Sequence, residues 1–193
     1  MPIFRLYESK RKAMPDTITV DGIAFPINPS FRNILRIIVM LGDNDTPDFF
    51  KPHYLQKWFY PVNYPANPWV GFASFVTPSQ KSNKESINRQ PDFEPDWDLE
   101  FDADEIYTSF LQQYGLDLYE SDMHWYKFLA LLSGLGENTA FQRKIQIRNA
   151  DLSGFKGKSL AKMMAAKEAA QLPAKYTRQE LEEIAEFDRV WGE

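Results

Sequence analysis

The chain of 193 residues is expected to form a mainly α-helical bundle with a small N-terminal β-hairpin. Apolar side chains recur at helical spacing along most of it, as in Phe31, Ile34, Leu35, Ile38 and Leu41. Capping residues, prolines and glycines punctuate those stretches. A short pair of β-leaning runs meets at Asp21-Gly22. A hydrophobic content of 44%, with 15% aromatic residues, is ample for a buried core.

The hairpin comes first: Thr17 to Val20 and Ile23 to Ile27 flank a two-residue turn whose glycine accepts positive φ. Asn28 or Ser30 then caps a helix from Phe31 that Gly42 closes. Pro52 opens a second helix through Phe59, ended by Pro61, and Asn67-Pro68 opens a third through Val76. Residues 77–91 are polar and nearly free of large apolar groups, which predicts a mobile loop. From Asp92 to Asp104 acids hold every even position and apolar or small residues every odd one, the pattern of an extended ribbon with one acidic side.

Five further helices are expected near 104–114, 122–134, 138–149, 157–171 and 178–191. Gly115, Ser121, Gly134, Gly136, Pro173 and the capping-box pattern Thr177-Arg178-Gln179-Glu180 separate them. The stretch 122–134 is apolar on most sides, which predicts the central helix of the bundle. The chain thus divides into 1–76 (hairpin and short helices), 77–101 (loop and acidic linker) and 102–193 (C-terminal helices), expected to pack as one compact domain.

With no cysteine, disulfides, thiolate metal sites and cysteine nucleophiles are excluded. No apolar run approaches the length of a membrane span and the N-terminus has no signal-peptide core, so an intracellular protein is expected. The net charge of -5 is unevenly placed. Residues 92–122 hold eleven acids and no Lys or Arg, whereas residues 141–178 hold nine Lys or Arg against Asp151 and Glu168. The two segments can attract each other within a chain or between copies, and the basic one does not by itself imply nucleic acid.

Chemical motifs are absent. The acids of 92–104 fail the calcium-loop pattern, because the glycine and the final glutamate are missing in either register. Gly157-Lys158-Ser159 ends like a phosphate loop, but Leu152 stands where its first glycine is required. His53 and His124 lack ligand spacing, and packing or capping explains His124 better. No nucleophile elbow, zinc-protease helix or dinucleotide fingerprint occurs, so neither cofactor, metal nor catalytic residue is expected.

Aromatic residues are the stronger signal. Trp97, Tyr107, Phe110, Tyr114, Tyr119, Trp125, Tyr126 and Phe128 crowd together, most as core and a minority as interface anchors. Met163 and Met164, followed by two alanines, make a similarly adaptable surface.

Three blocks resemble the Gp15 family of tailed-phage and prophage proteins from Gram-positive hosts. They are PDTITVDGIAFPINPSFRNILR; FDADEIYTSFLQQYGLDL with MHWYKFLALLSGL; and NTAFQRKIQIRNADLS. The likeness spans most of residues 15–170. It implies a protein encoded just before the tail tape-measure protein, a position typical of tail assembly chaperones, acting in the host cytoplasm. The implied partner is the tape-measure protein, with self-association a further option; from run lengths and charge, neither membrane nor nucleic acid is expected as a partner. Trp97, Phe101, Tyr107, Phe110, Tyr114, Trp125 and Tyr126 are the expected partner-binding residues, with the Asp92 to Asp104 edge aiding specificity. A structural component of the tail is the rival within this class; a metal-dependent enzyme using the 92–105 acids is the rival outside it.

Overall fold

The structure is a computed structural model that describes residues 14–43, 45–76 and 96–173, together with Arg189. The expected loop over 77–91, the start of the alternating run and all but one residue of the expected helix over 178–191 lie outside the described residues.

Strands β1 (Thr17–Val20) and β2 (Ile23–Pro26) pair antiparallel, Thr17 opposite Pro26 and Val20 opposite Ile23. Asp21 and Gly22 both take positive φ, 50° and 78°, as a tight hairpin turn requires. Seven helices follow among the described residues: α1 (Phe31–Gly42), α2 (Lys51–Phe59), α3 (Pro68–Val76), α4 (Ala103–Tyr114), α5 (Trp125–Ser133), α6 (Ala140–Arg148) and α7 (Gly157–Ala170). The protein is mainly α, with one hairpin, as its periodicity predicts.

A two-stranded ribbon is marginal alone in water, and this one leans on α3. Gly71 is their point of closest approach, where a Cβ would stand 2.3 Å from Ile18 Cδ1 and 2.5 Å from Tyr60 Oη. The Tyr60 hydroxyl donates to Pro68 O at 2.7 Å, pinning the end of α2 to the start of α3. Burial pushes that phenol up to about 12.

Helix α1 buries Phe31, Ile34, Ile37 and Met40, and Leu35, Ile38 and Leu41 lie half-buried beside them. Helix α5 is the hub. Phe128 stacks on Phe31 of α1 at 4.9 Å, on Phe110 of α4 at 5.5 Å and on Trp125 at 5.7 Å between centroids. Tyr126, on another side of the same helix, stacks on Phe75 of α3 at 4.9 Å. A helix apolar on most sides is thus used on most sides, and each aromatic side chain so buried contributes about 1.5–3 kcal/mol.

Helix α5 starts at Trp125, not at 122. Residues 122–124 instead run against 29–31: the Phe31 N–H donates to Met123 O at 2.9 Å, the Trp125 N–H to Pro29 O at 2.7 Å, and Ser30 Oγ to Asp122 Oδ1 at 2.7 Å. His124 is the cap. Its Nδ1 accepts the Tyr126 N–H at 3.1 Å, so the proton sits on Nε2, which donates to Pro15 O at 2.9 Å. Burial holds the imidazole below its ordinary pKa, against the opposing pull of Pro15 O and the Asp16 charge.

In residues 96–104 the extended acidic ribbon does not form. Asp98 Oδ1 accepts the N–H groups of Glu100 and Phe101 at 2.8 and 2.9 Å, which folds the segment into a turn, and α4 begins at Ala103. A short Asp side chain bonds its own backbone two or three residues on, and here that competes successfully with an extended strand that has no partner among the described residues. Asp102 does not join a solvated edge either, being only 1% exposed. Its carboxylate receives Arg148 Nη1 and Nη2 at 3.1 and 2.8 Å, Lys144 Nζ at 3.0 Å and the Asp98 N–H at 2.9 Å. Arg148 also donates to Asp96 O, and Lys144 reaches Glu105 at 2.9 Å, so α6 is clamped to the entry of α4. Ser109 completes the junction: its buried Oγ donates to Glu105 O at 2.6 Å and accepts the Phe141 N–H at 2.9 Å.

Candidate functional site: an apolar cleft between α1 and α4

Above the Phe31–Phe128 stack a cleft of about 200 Å³ opens between α1 and α4. Arg32 and Leu35 line it from α1, and Ala103, Ile106 and Tyr107 from α4. Leu99 and the 118–119 turn complete its walls.

That turn is built to hold its place. Asp117 Oδ1 accepts the Tyr119 N–H at 2.8 Å, and Arg32 Nη2 reaches the carbonyls of Leu118, Tyr119 and Ser121 at 2.5, 2.6 and 3.1 Å. Tyr119 is thereby presented outward, 76% exposed, with its ring 5.0 Å from that of Tyr107. Tyr107 Oη donates to Asp117 Oδ2 at 3.4 Å. Partial desolvation, then the Asp117 charge, raise the Tyr107 phenol above its ordinary value. Leu111, one turn beyond Tyr107, is also exposed and extends the apolar surface along α4.

The seven aromatic residues expected to bind a partner do not share one surface. Tyr107 alone of them lines the cleft. Phe101 is exposed nearby but lies under cations, with Lys144 Nζ 4.4 Å from its ring centroid. Trp97 is half-buried, edge-on to Phe141 at 6.0 Å, and Tyr114 is half-buried with its hydroxyl donating to Leu131 O at 2.9 Å. Phe110, Trp125 and Tyr126 belong to the core, 0%, 4% and 8% exposed. Tyr126 turns its hydroxyl to Phe75 O at 3.0 Å. Beside Tyr107 the cleft is lined by Arg32, Leu35, Leu99, Leu118 and Tyr119, which are not among the seven. Tyr119 stands in the same aromatic run, but in a turn, where no periodicity marks a face.

Among the described residues no group of three or more His, Asp or Glu side chains is placed to hold a metal ion. Asp102, the one buried acid among the described residues of the alternating run, is occupied by Arg148 and Lys144. Gly157-Lys158-Ser159 opens α7, and Ser159 Oγ donates back to Lys156 O at 2.7 Å as part of a cap. Among the described residues no helix is long and apolar enough to cross a membrane.

Fold and cleft together define a small, mainly helical protein with an apolar groove at its surface, and its phage assignment rests on sequence alone. The family model described as Bacteriophage Gp15 protein matches residues 11–172. The chain belongs to that family. No match was found among curated proteins or solved structures.

Proposed function

We propose that the protein is a tail assembly chaperone that binds the tail tape-measure protein noncovalently in the host cytoplasm. Membership of a phage protein family supports the setting. The observation that carries the binding role is the α1/α4 cleft, where Tyr107 and Tyr119 flank an apolar opening. A long helical client that aggregates before the tail tube encloses it needs a partner with an open apolar groove and a charged surround, and a groove between helices suits an amphipathic helix.

Co-expression with the tape-measure protein of the same phage tests this. A soluble complex recovered by affinity capture, with the client insoluble when expressed alone, is the expected result. Failure of both capture and solubilisation, with both proteins expressed, removes the proposal. Mass spectrometry of finished particles adds a second check, since a chaperone is absent or scarce there and a tail component is stoichiometric.

A further inference from the structure

Two negative charges stand at the aromatic side of the α1/α4 cleft. The half-buried Asp117 holds both tyrosines of the lining: its Oδ2 accepts the Tyr107 hydroxyl at 3.4 Å and its Oδ1 the Tyr119 N–H at 2.8 Å. An O–H···O bond is usually about 2.7–2.8 Å long, so Oδ2 is open to a stronger donor. Glu120, the exposed neighbour of Tyr119, is also felt there: after partial desolvation and Asp117, its charge raises the Tyr107 phenol further. Arg32 lines the cleft too, but its guanidinium is turned to the carbonyls of the 118–121 turn.

An apolar floor favours an apolar side chain, whereas two carboxylates beside a tyrosine ring favour a cation. A ligand that satisfies the cleft carries both close together. Ala103, Tyr107 and Leu111 follow one another at four-residue spacing along α4, so this surface runs for about 12 Å, two helical turns. That length suits a helix of the ligand, whose apolar side chains recur every three or four residues.

We propose that the α1/α4 cleft selects client helices by charge: an apolar stripe enters the cleft, and a Lys or Arg at the edge of that stripe meets Asp117 and Glu120 beside the Tyr107 ring. The inference rests on the cleft being the seat of the client and adds which of its segments are bound. Helices with Asp or Glu at the same edge are repelled, so a long client is gripped at the sites that carry this chemistry.

Fluorescence anisotropy of the full-length protein with two labelled synthetic helical peptides tests it. Both carry the same stripe of Leu and Phe; Lys lines the edge of one and Glu that of the other. The Lys peptide is expected to bind about tenfold more tightly at low salt, as exchanging exposed ion pairs for repulsions allows, and added salt narrows the gap. Three variants, each confirmed as folded by circular dichroism, locate the effect. Glu120→Lys is expected to close the gap and Tyr119→Ser to weaken both peptides. Glu168→Lys makes the same change of net charge on the exposed side of α7, which packs on α6 and lines no part of the cleft, and is expected to leave the gap open. Failure of both peptides to bind, equal binding, or tighter binding of the Glu peptide overturns the proposal. So does a gap that Glu120→Lys leaves open, or that Glu168→Lys closes as fully. The assay contains no tape-measure protein, so the two readings fail separately: equal peptides leave a captured client standing, and an uncaptured client leaves unequal peptides standing.

Discussion

Arg148 holds Asp102 with both terminal nitrogens, Nη2 to Oδ1 at 2.8 Å and Nη1 to Oδ2 at 3.1 Å, at a site where the carboxylate has almost no contact with water. Burial alone would raise the Asp102 carboxyl; the hydrogen bonds from Arg148, Asp98 N–H and Lys144 outweigh it and hold the pKa below the ordinary value. Removing one partner leaves the other charge buried, so Arg148→Ala is expected to cost about 3–5 kcal/mol in urea denaturation at neutral pH. The folded carboxyl gives up its proton more readily than the unfolded one. Its contribution is therefore complete above the unfolded value of about 3.9 and disappears as pH falls through the lower folded value. Asp102→Asn is expected to be less stable at neutral pH and to lose less on acidification.

His124 predicts a second, milder pH response. Its folded pKa is lowered, so on acidification the unfolded chain takes up a proton first and stability declines below about pH 6.5. His124→Asn keeps a capping side chain and removes the titration. Denaturation midpoints measured from pH 7.5 downward should slope for the wild type and stay flatter for the variant until the carboxylates titrate.

Gly71 and Gly42 make a matched pair. At Gly71 an added methyl collides with Ile18 and Tyr60, and Gly71→Ala is expected to lose about 1–3 kcal/mol. At Gly42 nothing lies within 4 Å of the new Cβ and φ is not positive. Gly42→Ala is expected to be neutral or to gain up to about 1 kcal/mol, read as a shift in melting temperature.

The cleft separates binding from folding. Tyr119→Ser removes an exposed ring and is expected to change stability by about 1 kcal/mol or less while weakening capture of the tape-measure protein. Phe110→Ala empties a fully buried position and is expected to cost about 3–5 kcal/mol, lowering the yield of folded protein instead. Equal capture by Tyr119→Ser and the wild type would place the client elsewhere on the surface.

Among the described residues, helix formation was legible where punctuation and an apolar repeat agreed. Phe31 to Leu41 announced α1, Pro68 announced α3, and Gly115, in the left-handed conformation at φ 63°, closed α4 where expected. What failed was read from pattern alone. The strict alternation after Asp92 has a strand period, but Asp98 and Asp102 in it bond backbone N–H groups locally, and two cations on α6 draw Asp102 inside. Those cations come from more than forty positions away, so no local window reveals them. The cleft was hidden for a related reason. Tyr119 faces outward because Arg32, 87 positions earlier, grips the turn that carries it. Phe110 and Trp125 have the composition of an interface and the surroundings of a core, and composition cannot tell the two apart.

The contact of Ser30 with Asp122, 92 positions apart, bears on how the protein is made. A ribosome delivers the hairpin, α1, α2 and α3 well before the segment that closes over them. Until residues 122–128 emerge, Phe31 lacks Phe128 and Phe75 lacks Tyr126. The nascent N-terminal half therefore carries exposed rings through much of translation. A ribosome stalled before residue 122 should display a protease-sensitive chain, and one stalled well beyond the end of α5 a protected one.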